Sequence, residues 1–241
     1  MPGEAVAAQG GPAVLGYYGK VPTKGDFVLR RLPRSFVDPW DAWLQRAMSI
    51  SREQLAEAWL DAYLTSPIWR FALTAGVCGG HAAAGVMMPS VDSVGRYYPM
   101  TIATLQPALR NPFDVATRED AWFAGAEDAA LSCLEQGFRL EGLDTRLGTL
   151  GATPDGAGVR PAQPLPQTSA GGLGWSLGQG APDRLCQGLY PEMLDDLLRA
   201  KFRTYSLWWT TGSDQIAPSL RVYEGLPYQG DFAAFLRGVG A

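Results

Sequence analysis

The sequence predicts an α/β fold built on a mixed, largely antiparallel sheet flanked by helices. Three observations carry this. Strand-like and helical segments do not alternate as a clean β-α-β repeat; helix pairs fall between hairpin-like strands instead. Turn signals such as Gly79-Gly80 sit between apolar runs. Two strand-like segments near the C-terminus are too few to fold alone, so they are expected to complete the sheet begun at the N-terminus.

Val14–Tyr18 reads as a short buried strand and Phe27–Leu32 as a second extended piece, joined by a Gly/Lys/Pro loop. Asp38 followed by Pro39 has the form of an N-cap with proline at the first helical position. Trp40, Trp43, Leu44, Ala47 and Met48 then make one helical stripe. Ser51 with Gln54 has capping-box spacing and predicts a second helix carrying Leu55, Ala58, Trp59, Ala62 and Tyr63. Pro67 stops it. Trp69, Phe71 and Leu73 alternate with Arg70, Ala72 and Thr74, the pattern of a strand with one buried face. Ala82–Met88 returns as an antiparallel partner, and Thr101–Leu105 is a further buried strand. Thr117, with Glu119 and Asp120 after it, is expected to open a long helix with Trp122, Ala126, Ala129, Ala130 and Cys133 inward.

Residues 141–184 are dominated by Gly, Pro, Ala, Ser and Gln, a composition that buries too little apolar surface to offset chain ordering. They are expected to form a long mobile loop, at about 143–184, within a single domain spanning 13–241. Residues 1–12 are expected to be a flexible tail. Beyond the loop, Pro191–Phe202 reads as a helix, Ser206–Thr211 and Leu220–Glu224 as strands around a turn at Gly212–Pro218, and Asp231–Leu236 as a closing helix. Adjacent Trp208 and Trp209 must face opposite sides of their strand.

The 241 residues carry a net charge of −4, with 46% hydrophobic and 18% charged residues, as in ordinary globular proteins. The acidic balance argues against nonspecific nucleic-acid or anionic-membrane binding. The Arg30, Arg31 and Arg34 cluster reads as a solvated loop. Three widely spaced cysteines, Cys78, Cys133 and Cys186, form no C-x-x-C pair and fit a reducing cytoplasm. No segment has the length of a signal peptide core or a membrane span.

The chemical motifs are sparse. Gly16-Tyr-Tyr-Gly19-Lys20 fails the phosphate-loop pattern, since Val14 and Val21 stand where Gly and Ser/Thr belong. His81 is the only histidine, which excludes multi-histidine metal sites; it is expected to be half-buried. Ser90, Asp92 and His81 invite a triad reading, but no G-x-S-x-G elbow is present. Cys78, between Val77 and Gly79, reads as an inert core residue. No cofactor, metal or catalytic set is assigned.

The dense polar loop PSVDSVGRYYPM, Pro89–Met100, stands out between apolar strands. Asp92 is suited to an Asx-turn, Arg96 to pairing with Asp92 or Asp26 through its planar fork, and Gly95 to a positive φ. A rigid polar loop of this kind also presents a partner surface well. Asp26, Ser90, Asp92 and Arg96, with Lys20 and Lys24 at the rim, form the candidate partner-binding cluster.

The segments GK-x-P-x-x-GDF (Gly19 to Phe27), R-x-LP (Arg30 to Pro33), WD-x-WL (Trp40 to Leu44), SPIWRF (Ser66 to Phe71) and GVMMPSVDSVGRYYP (Gly85 to Pro99) together resemble the TagF (ImpM) family of type VI secretion-associated proteins. SLWWT (Ser206–Thr210) and EGLP (Glu224–Pro227) are similar too. The resemblance implies a three-layer α/β sandwich. It also implies a cytoplasmic, non-enzymatic protein that restrains the secretion machine after translation by binding its forkhead-associated (FHA) scaffold. Some relatives are fused to a PP2C-type phosphatase; this chain lacks the carboxylate-rich metal motifs of one. The alternatives are a small hydrolase or phosphotransferase using Ser90 and Asp92, and a structural accessory subunit of the machine.

Overall fold

A computed structural model describes residues 13–106, 111–152, 163–164, 175–176 and 189–238. Its centre is a seven-stranded sheet of β1 (Val14–Gly19), β2 (Val28–Arg30), β3 (Trp69–Leu73), β4 (Ala82–Met88), β5 (Met100–Gln106), β8 (Tyr205–Thr210) and β9 (Ser219–Glu224), ordered β2-β1-β5-β4-β3-β8-β9. Every neighbouring pair is antiparallel, so the sheet is antiparallel throughout. β8 hydrogen-bonds β3, which ties the C-terminal hairpin to the N-terminal strands. β6 (Gln163–Pro164) and β7 (Trp175–Ser176) pair separately.

Helices cover both faces. On one lie α1 (Arg34–Leu55), α2 (Trp59–Thr65) and α7 (Phe232–Arg237); on the other, α4 (Asp120–Leu131) and α5 (Leu140–Leu150). α3 (Pro112–Arg118) packs on β3 and β8 and on α6 (Tyr190–Lys201). The result is the three-layer arrangement. Trp208 enters the first core and Trp209 packs against the second, as adjacent strand residues must.

Tryptophans organise the α1 face. Trp40 stacks on Trp208 at 5.7 Å and meets Phe71 at 4.7 Å. Buried indole N–H groups need acceptors, and these bonds link elements. Trp40 donates to Thr101 Oγ1 on β5 at 3.1 Å, Trp43 to the Pro227 carbonyl at 2.8 Å and Trp69 to the Phe235 carbonyl at 3.0 Å.

Several expectations require correction. α1 begins at Arg34 after Pro33, so Asp38 is no cap; it is exposed and pairs with Arg34 at 3.6 Å. Pro39 lies inside the helix, which persists because Phe36, Val37, Trp40, Trp43, Leu44, Ala47, Met48 and Ser51 bury one continuous face. Ser51 opens no second helix: its hydroxyl donates to the Met48 carbonyl and accepts from Trp59 Nε1. The break falls at the 3-10 turn Ala56–Ala58. Thr117 lies within α3, which Asn111 caps by accepting from Asp114 N–H at 2.8 Å, and its hydroxyl bonds back to the Phe113 carbonyl; the long helix α4 starts at Asp120 with no side-chain cap.

The loop expected at about 143–184 is helical at its start, where α5 spans Leu140–Leu150. Leu143 and Leu147, one turn apart, are buried against the α4 face; the glycines masked this stripe. Asp144 of α5 also takes Arg31 at 3.0 Å and Arg30 at 3.3 Å, so the basic cluster is an anchor for β2. The rest of the expected loop, apart from residues 151–152, β6 and β7, lies outside the described residues, as do the 1–12 tail and Cys186.

β3 is buried on both faces, where one was expected. Arg70 survives there because its fork engages Glu127 of α4 at 2.7 and 2.9 Å and Asp120 at 2.5 Å. Losing the arginine removes its packing and its charge-assisted hydrogen bonds, while Asp120, 84% exposed, and Glu127 keep access to water. Arg70→Ala is expected to lower stability by about 2 kcal/mol in urea unfolding, with Arg70→Met recovering part of the loss through its apolar stem.

Candidate functional site

The sheet order brings two hairpin tips together. β1 and β2 are joined by residues 20–27, β4 and β5 by residues 89–99, and β1 lies beside β5 with Tyr18 opposite Thr101. The end of β1 therefore abuts the start of β5. Gly19 makes this approach possible: its φ is +146°, and a Cβ there would collide with the Pro99 carbonyl oxygen.

Asp92 knits the two loops. It is 3% exposed. Its Oδ2 accepts from Lys20 Nζ at 2.7 Å and from Arg96 Nε at 2.7 Å. Its Oδ1 accepts the backbone N–H groups of Val94 at 3.0 Å and Arg96 at 2.8 Å, the Asx-turn expected from the sequence. Gly95 closes the turn with φ +85°, donating to the Asp92 carbonyl at 3.1 Å. Arg96 Nη2 continues to the Gly25 carbonyl at 2.5 Å, and Ser93 N–H donates to the Lys24 carbonyl at 3.0 Å.

Ser90 is also buried. Its hydroxyl donates to the Lys20 carbonyl at 2.7 Å, while its own backbone N–H and carbonyl both engage the Tyr63 hydroxyl at 2.9 Å. Ser90 and Asp92 thus hold the loops in place, and the exposed members of the predicted cluster are Lys24, Asp26 and Arg96. Lys20, expected at the rim, is 5% exposed and serves as the counter-ion of Asp92. Asp26 turns its carboxylate onto Phe27 N–H at 2.7 Å, leaving Arg96 to Asp92.

The triad geometry does not assemble. His81 is exposed, against the half-buried position expected, and precedes β4 while Ser90 follows it. The seven residues of β4, at about 3.3 Å each, hold the two roughly 20 Å apart or more. Cys78 and Cys133 are buried, and burial pushes each thiol up to about 12, far from a reactive thiolate.

Sequence reasoning missed Asp41, Tyr18, Tyr98 and Phe27. Asp41 Oδ1 accepts both the Tyr18 hydroxyl at 2.7 Å and the Tyr98 hydroxyl at 2.6 Å, and its Oδ2 accepts Gln45 Nε2 at 2.6 Å. Burial, followed by hydrogen bonding to Asp41, pushes both phenols well above their ordinary range. The signal was an acidic residue directly beside Trp40 in WD-x-WL. Among the described residues, no group of three or more His, Cys, Asp or Glu side chains is placed to hold a metal, and no helix is long and apolar enough to cross a membrane.

Residues 16–150 match the family described as the TagF N-terminal domain, type VI secretion system-associated. The crystal structure of PA0076 from Pseudomonas aeruginosa PAO1 is similar to the chain at a TM-score of 0.77 and 38% identity, over 94% of this chain and 96% of that one. No curated protein matches. The chain belongs to the TagF family.

Burial raises the pKa of Asp92, but the bonds from Lys20 and Arg96 and the backbone donors lower it more, holding the carboxyl well below the usual carboxylate range. A depressed carboxyl contributes stability that is complete above its unfolded value, about 3.9, and is lost as the pH falls below that. The stability advantage of the wild type over Asp92→Asn is therefore expected to be constant from pH 7 to 5 and to shrink below pH ~4 in urea unfolding. In a Cys186→Ser background, Cys78 and Cys133 are expected to stay unreactive toward a disulfide reagent until the chain unfolds.

Proposed function

We propose that this TagF-family chain is a cytoplasmic, non-enzymatic negative regulator of type VI secretion that binds an FHA-domain scaffold of the apparatus. The observation that carries the reading is the pair of loops locked by Asp92, which presents Lys24, Asp26 and Arg96 on a rigid rim. Such a rim loses little conformational entropy on association. Chemistry at Ser90 has no comparable support, because that hydroxyl is buried and committed to a backbone carbonyl. Sequestration of a scaffold requires only a surface, and a surface is what these residues build.

The test is a pull-down of the purified chain against the cognate FHA-domain scaffold, quantified by calorimetry. A one-to-one complex of about micromolar affinity or tighter is expected. Arg96→Ala is expected to weaken it about 10-fold, with Ser90→Ala, which touches only the loop interior, scored for folding alone. No complex with the scaffold, phosphorylated or not, overturns the reading. Co-purification with assembled machine in place of free scaffold would transfer it to the structural-subunit alternative.

A further inference from the structure

Phe27 is 40% exposed, yet its position is fixed from several sides. Its ring stacks on Tyr18 at 5.4 Å with an 8° interplanar angle and meets Tyr98 edge-on at 4.8 Å. The Lys20 ammonium stands 4.9 Å from the ring centroid. Tyr18 and Tyr98 are in turn held by Asp41, and Lys20 by Asp92. Two carboxylates from separate parts of the chain thereby immobilise an apolar ring that solvent reaches. Leaving such a ring partly wet forgoes burial free energy. An aromatic ordered before association is the usual form of a binding hot spot.

Val94, 68% exposed, tops the turn whose Ser93 N–H and Arg96 guanidinium bond to the carbonyls of Lys24 and Gly25. It therefore shares one rim with Phe27. Lys24 is exposed and makes no ion pair with a described residue, and the Arg96 side chain is 58% exposed. Of the nearby carboxylates, Asp92 is buried on Lys20 and Arg96, while Asp26 is exposed and accepts from Phe27 N–H. The rim thus exposes two cations, Lys24 and Arg96, against the one carboxylate of Asp26, an excess of positive charge in a chain of net charge −4.

We infer that Phe27, Val94, Lys24 and Arg96 form a docking surface for a folded protein that offers an apolar cleft edged with carboxylates. The inference rests on the preceding reading of this site and deepens it by giving the chemistry of the partner. A second copy of the chain fits less well, since it would bring the same two exposed cations and only one exposed carboxylate, leaving the excess positive charge unmatched. Charge complementarity selects an acidic partner, and the fixed ring supplies the apolar anchor.

The experiment titrates the full chain into the FHA-domain scaffold by calorimetry at low and high salt. Phe27→Ala and Val94→Asp are expected to weaken binding about 30-fold. Lys24→Glu is expected to weaken it about 10-fold and to flatten the salt dependence. Leu64→Ala, at an exposed leucine of α2, serves as the control and leaves it unchanged. Binding by the wild type that survives Phe27→Ala and Lys24→Glu, with both variants folded by circular dichroism, overturns the surface while leaving the regulatory reading intact. If the wild type does not bind the scaffold, the partner assignment fails, and the surface is scored by secretion from bacteria carrying the same chromosomal variants. A phenotype matching deletion of the gene supports the surface, and wild-type behaviour overturns it. Self-association of the wild type in sedimentation, abolished by Phe27→Ala, reassigns the surface to a second copy and overturns the acidic partner.

Discussion

Asp92 is the constraint on which the exposed end of the sheet depends. An unpaired carboxylate at 3% exposure would be prohibitively costly. This one receives four donors, two from charged side chains and two from its own loop. The consequence reaches beyond the loop. Lys20 is drawn down from the β1–β2 tip, Arg96 is stretched across to Gly25, and Ser90 closes on the Lys20 carbonyl. Two hairpin tips that would otherwise be independent surface loops become one rigid body. Tip residues usually belong to the least stable parts of a fold, and here several of their backbone groups are bonded within or between the two loops.

The same logic runs through the interior. A sheet covered on both faces leaves β3 no wet side, so a charge there must be answered from a helix. Arg70 is answered by Glu127 and Asp120 of α4. On the opposite face, the indole N–H groups of Trp40, Trp43 and Trp69 each reach a carbonyl or hydroxyl on another element. Apolar burial supplies the driving force, while these bonds discriminate among packings of similar area. Segments far apart in sequence, such as α1 and Pro227, are placed by single polar contacts inside an apolar contact zone.

The strands were legible because period-2 patterns and turn residues act locally. Ala82–Met88 needed no tertiary information, nor did the β8 and β9 pair. Helix starts were less legible. Ser51 and Thr117 carry the chemistry of caps, and the same hydroxyls serve equally well inside a helix when they bond back to a carbonyl three or four residues earlier. Only the packing of the helix concerned decides between the two. The stripe of α5 was hidden by composition, since glycines between leucines reduce average hydrophobicity without disturbing the positions of Leu143 and Leu147. At the site, Asp92 and Arg96 announce themselves as polar residues in an apolar run. Asp41 does not, because an acidic residue on a helix surface reads as solvated, and its partners Tyr18 and Tyr98 come from two other segments.

Asp41 and Asp92 perform complementary tasks. Asp92 fixes backbone, and so decides where the loops run. Asp41 fixes side chains, by accepting hydrogen bonds from two phenols on one oxygen, and so decides which way the aromatic cluster lies. The two meet at Phe27, whose ring contacts Tyr18 and Tyr98 on the Asp41 side and Lys20 on the Asp92 side. A loop locked in backbone alone would still present a mobile ring, and a clamped ring on a mobile loop would have no defined position. Shape at this end of the sheet requires both carboxylates. This explains why GK-x-P-x-x-GDF, WD-x-WL and GRYYP, dispersed over the first hundred residues, act as one structural unit.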